Sequence, residues 1–289
     1  MLYGALEAGG TKMICAVGDE KGNIIDEVTI PTTVPNETIP EIIRYFKGKD
    51  IEALGIACFG PLDLDKSSPT YGNILKTPKL AWTDLEIYSV LKDELEVPVN
   101  IDTDVAGSLL GESTWGSAKG ISDALYITIG TGIGGGILAN GEILHGMLHP
   151  ELGHMILARH ESDTFDGVCP FHRNCFEGLA SGPSIEARWG KSADELTDNE
   201  KVWELESFYI AQALSNIILT VCPERIILGG GVMNQEQLFP LIRDKVVSNL
   251  NYYISSNGLA DIDSYIVPAS LKGKQGIMGA LKLAMDAEM

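Results

Sequence analysis

The chain has 289 residues, 45% of them hydrophobic, and a formal net charge of −19. This length allows one large domain or two smaller ones, each with a full hydrophobic core. The negative charge repels phosphate backbones and anionic lipid headgroups, so we expect neither nucleic acid nor a membrane as a partner. No apolar run is long enough to span a bilayer, and the first residues show no signal-peptide pattern, which predicts a cytoplasmic protein.

The predicted elements occur in a similar order twice. In the first part, apolar runs bounded by turn residues predict strands at 3–6, 13–17, 24–30, 53–58 and 99–101. The helices expected there are 40–46, 84–95 and 106–115. In the second part, the expected strands are 124–129, 137–139, 142–144, 225–228 and 264–267. Its expected helices are 202–221, 235–250 and 276–285.

This repetition predicts both a fold class and a division of the chain. A strand, a glycine turn, more strands and then alternating helices and strands form a duplicated α/β unit. Such a duplication makes two lobes with a cleft between them. We expect an N-terminal lobe of residues 1–114, joined by the C-terminal helix at 274–289, and a C-terminal lobe of residues 115–273.

Three glycine-rich loops, at 9–11, 130–136 and 229–231, each follow a predicted strand. Glycines bring backbone N–H groups close to phosphates, so three such loops favour a nucleotide site. Gly130, Gly132 and Gly135 also match G-x-G-x-x-G, the motif of dinucleotide-binding proteins, but that motif requires a helix after the glycines. A hairpin through Asn140-Gly141 follows here, which favours a strand-turn-strand phosphate loop.

A short cysteine- and histidine-containing segment predicts a metal site. Cys169, His172 and Cys175 have the spacing C-x2-H-x2-C, which lets one loop surround a zinc ion. Four ligands complete a tetrahedral structural site, and the spacing does not select the fourth. The remaining histidines all lie upstream: His145, His149, His154 and His160.

Two aspartates are candidates for a catalytic base. Asp102 and Asp104 lie at the end of a predicted strand, just before a predicted helix. A carboxylate placed there can accept a proton from a substrate hydroxyl during phosphoryl transfer. It can also cap the helix, and the residue pattern alone leaves the two aspartates equal.

At this point the chain resembles a known family. Residues 7–12, 130–136 and 228–232 look like the first phosphate, second phosphate and adenosine loops of the sugar kinase, Hsp70 and actin superfamily. Within it the chain resembles, essentially end to end, the ROK family of repressors, open reading frames and sugar kinases. Residues 68–72, 77–82 and 149–154 are similar to the bacterial ROK fructokinases. The resemblance implies the two-lobed, ribonuclease H-like fold of the actin-like ATPases.

The resemblance also implies a role for individual residues. Asp104 corresponds to the family's base, and Thr103 stands where relatives usually have a sugar-binding asparagine. The implied sugar contacts are Glu151, His154 and Glu177, and His154 would also be the fourth zinc ligand. Glu7 would contact Mg2+ through water. The implied contacts to ATP are Gly9, Gly10, Thr11, Lys12, Gly130, Thr131, Gly132, Gly182, Gly229, Gly230 and Gly231.

The sequence therefore predicts an ATP-dependent hexose kinase, with D-fructose as substrate, Mg2+ on the nucleotide, a structural Zn2+ and a homodimeric assembly. A mannose or glucose kinase is the alternative within this class. Two other classes are a sugar-sensing repressor and a sugar-binding protein that has lost catalysis. Only six residues precede Glu7, too few for a DNA-binding module, and the acidic charge agrees. Asp104 and the glycine loops argue against lost catalysis.

Overall fold

The computed structural model describes residues 1–254 and 257–287. They form two compact units. Unit 1 comprises Met1–Gly120, Ile143–Pro150 and the described residues from Ser270 onward, and unit 2 comprises Ile121–Glu142 and Glu151–Ala269. The sequence had predicted that residues 143–150 belong to the second lobe. It had also predicted that the first lobe ends at 114 and resumes at 274, whereas unit 1 ends its first segment at Gly120 and resumes its last at Ser270.

Strands and helices alternate along both units. The strands are β1 Leu2–Ala8, β2 Lys12–Asp19, β3 Ile24–Pro31, β4 Leu54–Cys58, β5 Val99–Thr103, β6 Ala124–Ile129, β7 Ile133–Ala139, β8 Glu142–Ile143, β9 Arg225–Gly229 and β10 Ile266–Pro268. The helices are α1 Pro35–Lys47, α2 Ile87–Leu95, α3 Asp104–Trp115, α4 Phe176–Ala180, α5 Gly182–Trp189, α6 Glu200–Val221, α7 Leu238–Leu250, α8 Asn257–Ala260, α9 Ile262–Tyr265 and α10 Gln275–Met285. Short 3-10 helices span Leu80–Trp82, Leu152–His154, Ala193–Leu196 and Gly231–Asn234.

The two sheets have matching strand orders. The sheet of unit 1 has the order β3-β2-β1-β4-β5, with β1 antiparallel to β2 and parallel to β4. The other sheet has the order β8-β7-β6-β9-β10, with β6 antiparallel to β7 and parallel to β9. The duplicated α/β unit expected from the sequence is therefore present.

Two different kinds of packing cover the sheet of unit 1. On one face the large apolar side chains of β1, β4 and β5 join those of α1 and α2 in a single buried cluster. On the other face the residues are small, and α10 lies directly against the strands. A Cβ atom at Gly55 would lie 1.9 Å from the carbonyl oxygen of Ala280, and one at Gly279 would lie 1.6 Å from that of Gly107. Glycine at these positions allows α3, α10 and the sheet to touch through their backbones.

The register of the parallel strands positions the candidate site of unit 1. Ala8, Cys58 and Thr103 are neighbours across β1, β4 and β5, so the three strands end at one edge. The chain leaves that edge at Gly9, Phe59 and Asp104. In open α/β sheets, ligands bind at the carboxyl ends of parallel strands.

Several predicted elements differ from the observed ones. Helix α1 begins at Pro35 rather than at Pro40, because proline fits the first turn of a helix. Residues 133–136 were predicted as loop but belong to β7, since glycines that pair in an antiparallel ladder can still be extended. Helices α4 and α5 were not predicted, because both are short and follow an irregular segment. None of the helices within 1–254 and 257–287 has the length and apolarity to cross a bilayer.

Candidate functional site

Asp104 is the first residue of α3, at the end of β5. The helix is capped by Thr103, whose side-chain oxygen accepts a hydrogen bond from the N–H of Ala106 at 3.1 Å. Neither Asp102 nor Asp104 is therefore needed as the cap. Burial raises the pKa of the Asp104 carboxyl to about 6. A base with this pKa is ionised near neutral pH and holds a proton more firmly than an ordinary aspartate does.

Glu7 provides a second partly buried carboxyl group in unit 1. Burial, followed by the nearby Asp104, raises the pKa of Glu7 to about 7, although Lys12 lowers it. Its Oε2 atom is buried and has no hydrogen-bond partner among the described residues. A Cβ atom at Gly276 would lie 2.5 Å from the Glu7 carboxyl carbon, so only glycine leaves room for this group. An unsatisfied carboxylate oxygen fits a hydrated cation such as Mg2+.

The loop between β1 and β2 is a tight turn of predicted phosphate-binding residues. The Gly9 N–H donates to the carbonyl oxygen of Lys12 at 3.0 Å, and a Cβ atom at Gly9 would lie 2.7 Å from that oxygen. A Cβ atom at Gly10 would lie 3.1 Å from Cε of Lys79, a lysine the sequence analysis did not select. Two lysines, Lys12 and Lys79, therefore flank this loop. Thr11 at its tip is exposed.

Unit 2 brings together the glycine loop at 130–132, Gly182 and the glycine loop at 229–231. The Gly182 N–H donates to the carbonyl oxygen of Gly130 at 2.7 Å, and a Cβ atom at Gly130 would lie 3.5 Å from the nitrogen of Gly231. Gly230 has a φ of 90°, and a Cβ atom there would lie 2.3 Å from the carbonyl oxygen of Ile129. These backbones approach one another because no side chains intervene. Thr131, Gly132 and Gly229 lie within the same loops.

Glu177, on α4, adjoins the second phosphate loop. Its Oε2 atom accepts a hydrogen bond from the N–H of Ile133 at 3.0 Å. A Cβ atom at Gly132 would lie 2.9 Å from the same oxygen. Glu151 precedes the 3-10 helix Leu152–His154 and is exposed, and its carbonyl oxygen accepts from the N–H of His154.

The four predicted zinc ligands form one cluster in unit 2. One ligand atom from each of His154, Cys169, His172 and Cys175 lies within 4.8 Å of the others. His154 Nδ1 is 3.8 Å from the Cys169 sulfur and 3.6 Å from the Cys175 sulfur. In a tetrahedral zinc site, bond lengths of about 2.0–2.3 Å place ligand atoms roughly 3.3–3.8 Å apart. The cluster therefore fits Zn2+, and since Nδ1 of His154 faces the sulfurs, its Nε2 atom points away from them.

The segment around the metal cluster is shaped by close backbone contacts. A Cβ atom at Gly178 would lie 1.7 Å from the carbonyl oxygen of Arg173, and one at Gly167 would lie 1.9 Å from the same atom. Arg173 itself has a φ of 54°. These positions wrap residues 167–178 tightly, and they bring both cysteines into the interior. Of the upstream histidines, only His154 joins this cluster in the described residues.

A further polar pair in unit 1 was only partly foreseen. Asp102, an alternative base in the sequence analysis, lies with one carboxylate oxygen 3.1 Å from Nε2 of His145. Asp102 is 6% exposed. His145 had been considered only as a possible zinc ligand. No sequence signal links residues so far apart in the chain.

Comparison with known proteins places these features in a family. The sequence model of the ROK family matches residues 3–287. A Bacillus subtilis protein is 51% identical over 287 residues, covering 99% of this chain and 96% of that protein. The fructokinase of Pediococcus pentosaceus is 44% identical and covers 99% of both chains. Among solved structures, a ROK hexokinase from Thermus thermophilus has a TM-score of 0.78 and 25% identity, covering 99% of this chain and 98% of that one.

Proposed function

Because this chain belongs to the ROK family, we propose that it is a kinase that transfers the γ-phosphoryl group of ATP to D-fructose and forms fructose 6-phosphate. One observation carries the choice of sugar: a relative 44% identical over the whole chain is a fructokinase. The chain itself supplies a partly buried base, phosphate-binding glycine loops and a cation-binding carboxylate. These are the parts that phosphoryl transfer requires.

Asp104 accepts the proton of the attacking hydroxyl. Phosphoryl transfer needs this hydroxyl to lose its proton as the bond to phosphorus forms. With a pKa of about 6, Asp104 is mostly ionised at pH 7. The reaction rate is therefore expected to fall as the pH drops through 6, because the protonated carboxyl cannot accept a second proton.

The glycine loops and Glu7 bind the nucleotide. The loops at 9–12 and 130–132, with Lys12 and Lys79 beside the first, contact the phosphate groups through backbone N–H groups other than those of Gly9 and Gly130, which pair within their own turns. Gly182 and the loop at 229–231 complete the contacts to ATP. Glu7 would hold a hydrated Mg2+ ion, which would supply positive charge to the phosphates of ATP.

The sugar is bound by Glu151, His154 and Glu177, with Thr103 beside the base. Carboxylates accept hydrogen bonds from sugar hydroxyls, and a metal-bound histidine is held in one orientation. His154, Cys169, His172 and Cys175 would hold zinc with no position left open, so the ion would be structural. His154, held through Nδ1, would then offer its Nε2 atom to a sugar hydroxyl. We further propose that the protein is cytoplasmic and forms a homodimer. Sedimentation equilibrium tests the homodimer.

A coupled assay that measures ADP release tests the function over a panel of fructose, mannose, glucose and N-acetylglucosamine. We expect fructose to give the highest kcat/KM, with mannose second. The preference is expected to be partial, since ring forms of these sugars present overlapping hydroxyls. Glucose or N-acetylglucosamine as best substrate would overturn the choice of sugar, and no hexose-dependent ADP release would overturn the kinase.

A further inference from the structure

Residues 143–150, called here the histidine segment, are held within unit 1 by two histidine side chains. Nε2 of His145 lies 3.1 Å from Oδ1 of Asp102. Nε2 of His149 accepts a hydrogen bond from the N–H of Leu62 at 3.2 Å. The segment between them exposes Met147 completely. Two polar side-chain contacts therefore join the segment to the rest of unit 1.

Both attachment points lie at the edge of the sheet from which Asp104 emerges. Asp102 is the next-to-last residue of β5, two positions before Asp104. Leu62 follows the neighbouring parallel strand β4, whose last residue, Cys58, pairs with Thr103. His145 and His149 are thus placed beside the start of α3, where the proposed function puts the reacting hydroxyl.

The contact with Asp102 fixes the orientation of the His145 ring. A carboxylate oxygen only accepts hydrogen bonds, so Nε2 carries the hydrogen and donates it. Nδ1 of the neutral ring then presents a lone pair. Within residues 1–254 and 257–287 no protein group forms a hydrogen bond with Nδ1, and the side chain is 34% exposed. The pKa of His145 is raised, mainly by the hydrogen bond with Asp102. In the neutral state of the ring that leaves this lone pair, the two side chains carry the negative charge of Asp102 and do not attract a phosphate, whereas protonation of the ring at lower pH removes the lone pair.

We propose that His145 binds a hydroxyl group of the hexose through Nδ1, and that Asp102 is the positioning residue that orients the ring for this contact. The inference rests on the proposed function, because it takes the sugar to lie beside Asp104. A hydroxyl group donates a hydrogen bond to Nδ1, and the carboxylate behind the ring makes Nδ1 a better acceptor. Nδ1 of His145 is an uncharged acceptor, and Asp104 beside it takes a proton from a hydroxyl group. A sugar, which offers several hydroxyl groups, therefore suits this position.

Two amide substitutions separate this role from simple attachment of the segment. Gln at position 145 places an amide near the position of Nε2, so it keeps a donor toward Asp102 but has nothing at Nδ1. Asn places its amide near the position of Nδ1 and cannot reach Asp102. His145→Gln is therefore expected to raise KM for fructose about 5- to 10-fold, the effect of one lost hydrogen bond. KM for ATP is expected to change less than twofold.

The measurements are steady-state kinetics with fructose and with ATP, fructose binding by calorimetry without nucleotide, and thermal melting of each variant. Asp102→Ala is expected to raise KM for fructose as His145→Gln does, and Asp102→Asn, which keeps the accepting oxygen, is expected to raise it less. Met147→Ala is the matched control in the same segment, and it should behave as wild type because its side chain is fully exposed.

Three outcomes would overturn the inference. The first is wild-type fructose affinity in His145→Gln. The second is an equal rise of KM in His145→Gln and His145→Asn together with an equal loss of melting temperature, which indicates attachment only. The third applies if His145→Gln does not fold and Met147→Ala behaves as wild type. In that case a KM for fructose in His145→Asn more than 10-fold above that in Met147→Ala would overturn the inference. If the wild-type protein phosphorylates fructose, these three outcomes overturn only the role of His145 and leave the proposed function intact. If the wild-type protein phosphorylates no hexose, both the proposed function and this inference fail.

Discussion

The two sheets have the same strand order but opposite chemistry at the ends of their strands. In unit 1 the strand ends carry partly buried carboxyl groups, Glu7 and Asp104, whose pKa values are raised to about 7 and about 6. In unit 2 the corresponding ends of β6 and β9 carry glycines, and the same unit holds the cluster of His154, Cys169, His172 and Cys175 that could bind a metal ion. The comparison shows that one topology places partly buried carboxyl groups in one unit and closely packed glycines with a cysteine and histidine cluster in the other. Fold alone therefore does not locate the chemistry.

The comparison predicts that the base lies only in unit 1. Asp104→Asn is expected to lower kcat about 10²- to 10⁴-fold, since the amide cannot accept the proton, with little change in sugar or ATP binding. Single-turnover and steady-state kinetics measure this effect. A variant that keeps more than about a tenth of wild-type kcat would move the base to Asp102 or elsewhere.

The second prediction concerns the metal cluster of unit 2. Purified protein is expected to hold one zinc ion per chain, and Cys169→Ser is expected to lose it. Losing the ion removes about 3 kcal/mol or more of folding free energy, because binding and folding of this irregular segment are coupled. Melting temperature should fall by about 6–12 °C. Cys15→Ser, at a buried cysteine outside the cluster, serves as a control that retains zinc by elemental analysis. Protein without zinc at full stability would contradict this account.

The third prediction concerns Glu7, where function and stability conflict. A carboxyl group whose pKa is raised in the folded state binds protons more readily when folded, so stability falls as the pH rises from about 4.5 to 7. Glu7→Gln removes this penalty and is expected to stabilise the free protein at pH 8 by about 1–3 kcal/mol. It should also weaken the dependence of activity on Mg2+. Urea unfolding at pH 5 and pH 8 measures the effect, and an equal stability change at both pH values would contradict the buried carboxylate.

Much of the fold could be predicted from the sequence because it depends on local patterns. Strand β6 was predicted with its observed limits, since an apolar run bounded by turn residues defines it. The metal cluster was predicted from C-x2-H-x2-C, but the choice of His154 came from resemblance and not from spacing. The structure then placed His154 Nδ1 beside both sulfurs.

The unpredicted features depend on contacts between distant residues. Asp102 and His145 are separated by 43 positions, and their meeting follows from how 143–150 returns to unit 1. The approach of Lys79 to Gly10 is another contact between residues far apart in the sequence. An aspartate cap on α3 was the alternative role considered for Asp102 and Asp104, whereas Thr103 forms the cap, because both residue types favour that position.

The identity of the product tests the central claim most directly. Wild-type protein is incubated with fructose, ATP and Mg2+, and the products are followed by phosphorus and carbon NMR. The account predicts fructose 6-phosphate and ADP in equal amounts, with no detectable sugar phosphate from Asp104→Asn over the same time. Phosphate on another carbon of fructose, or ADP formed without any sugar phosphate, would contradict it.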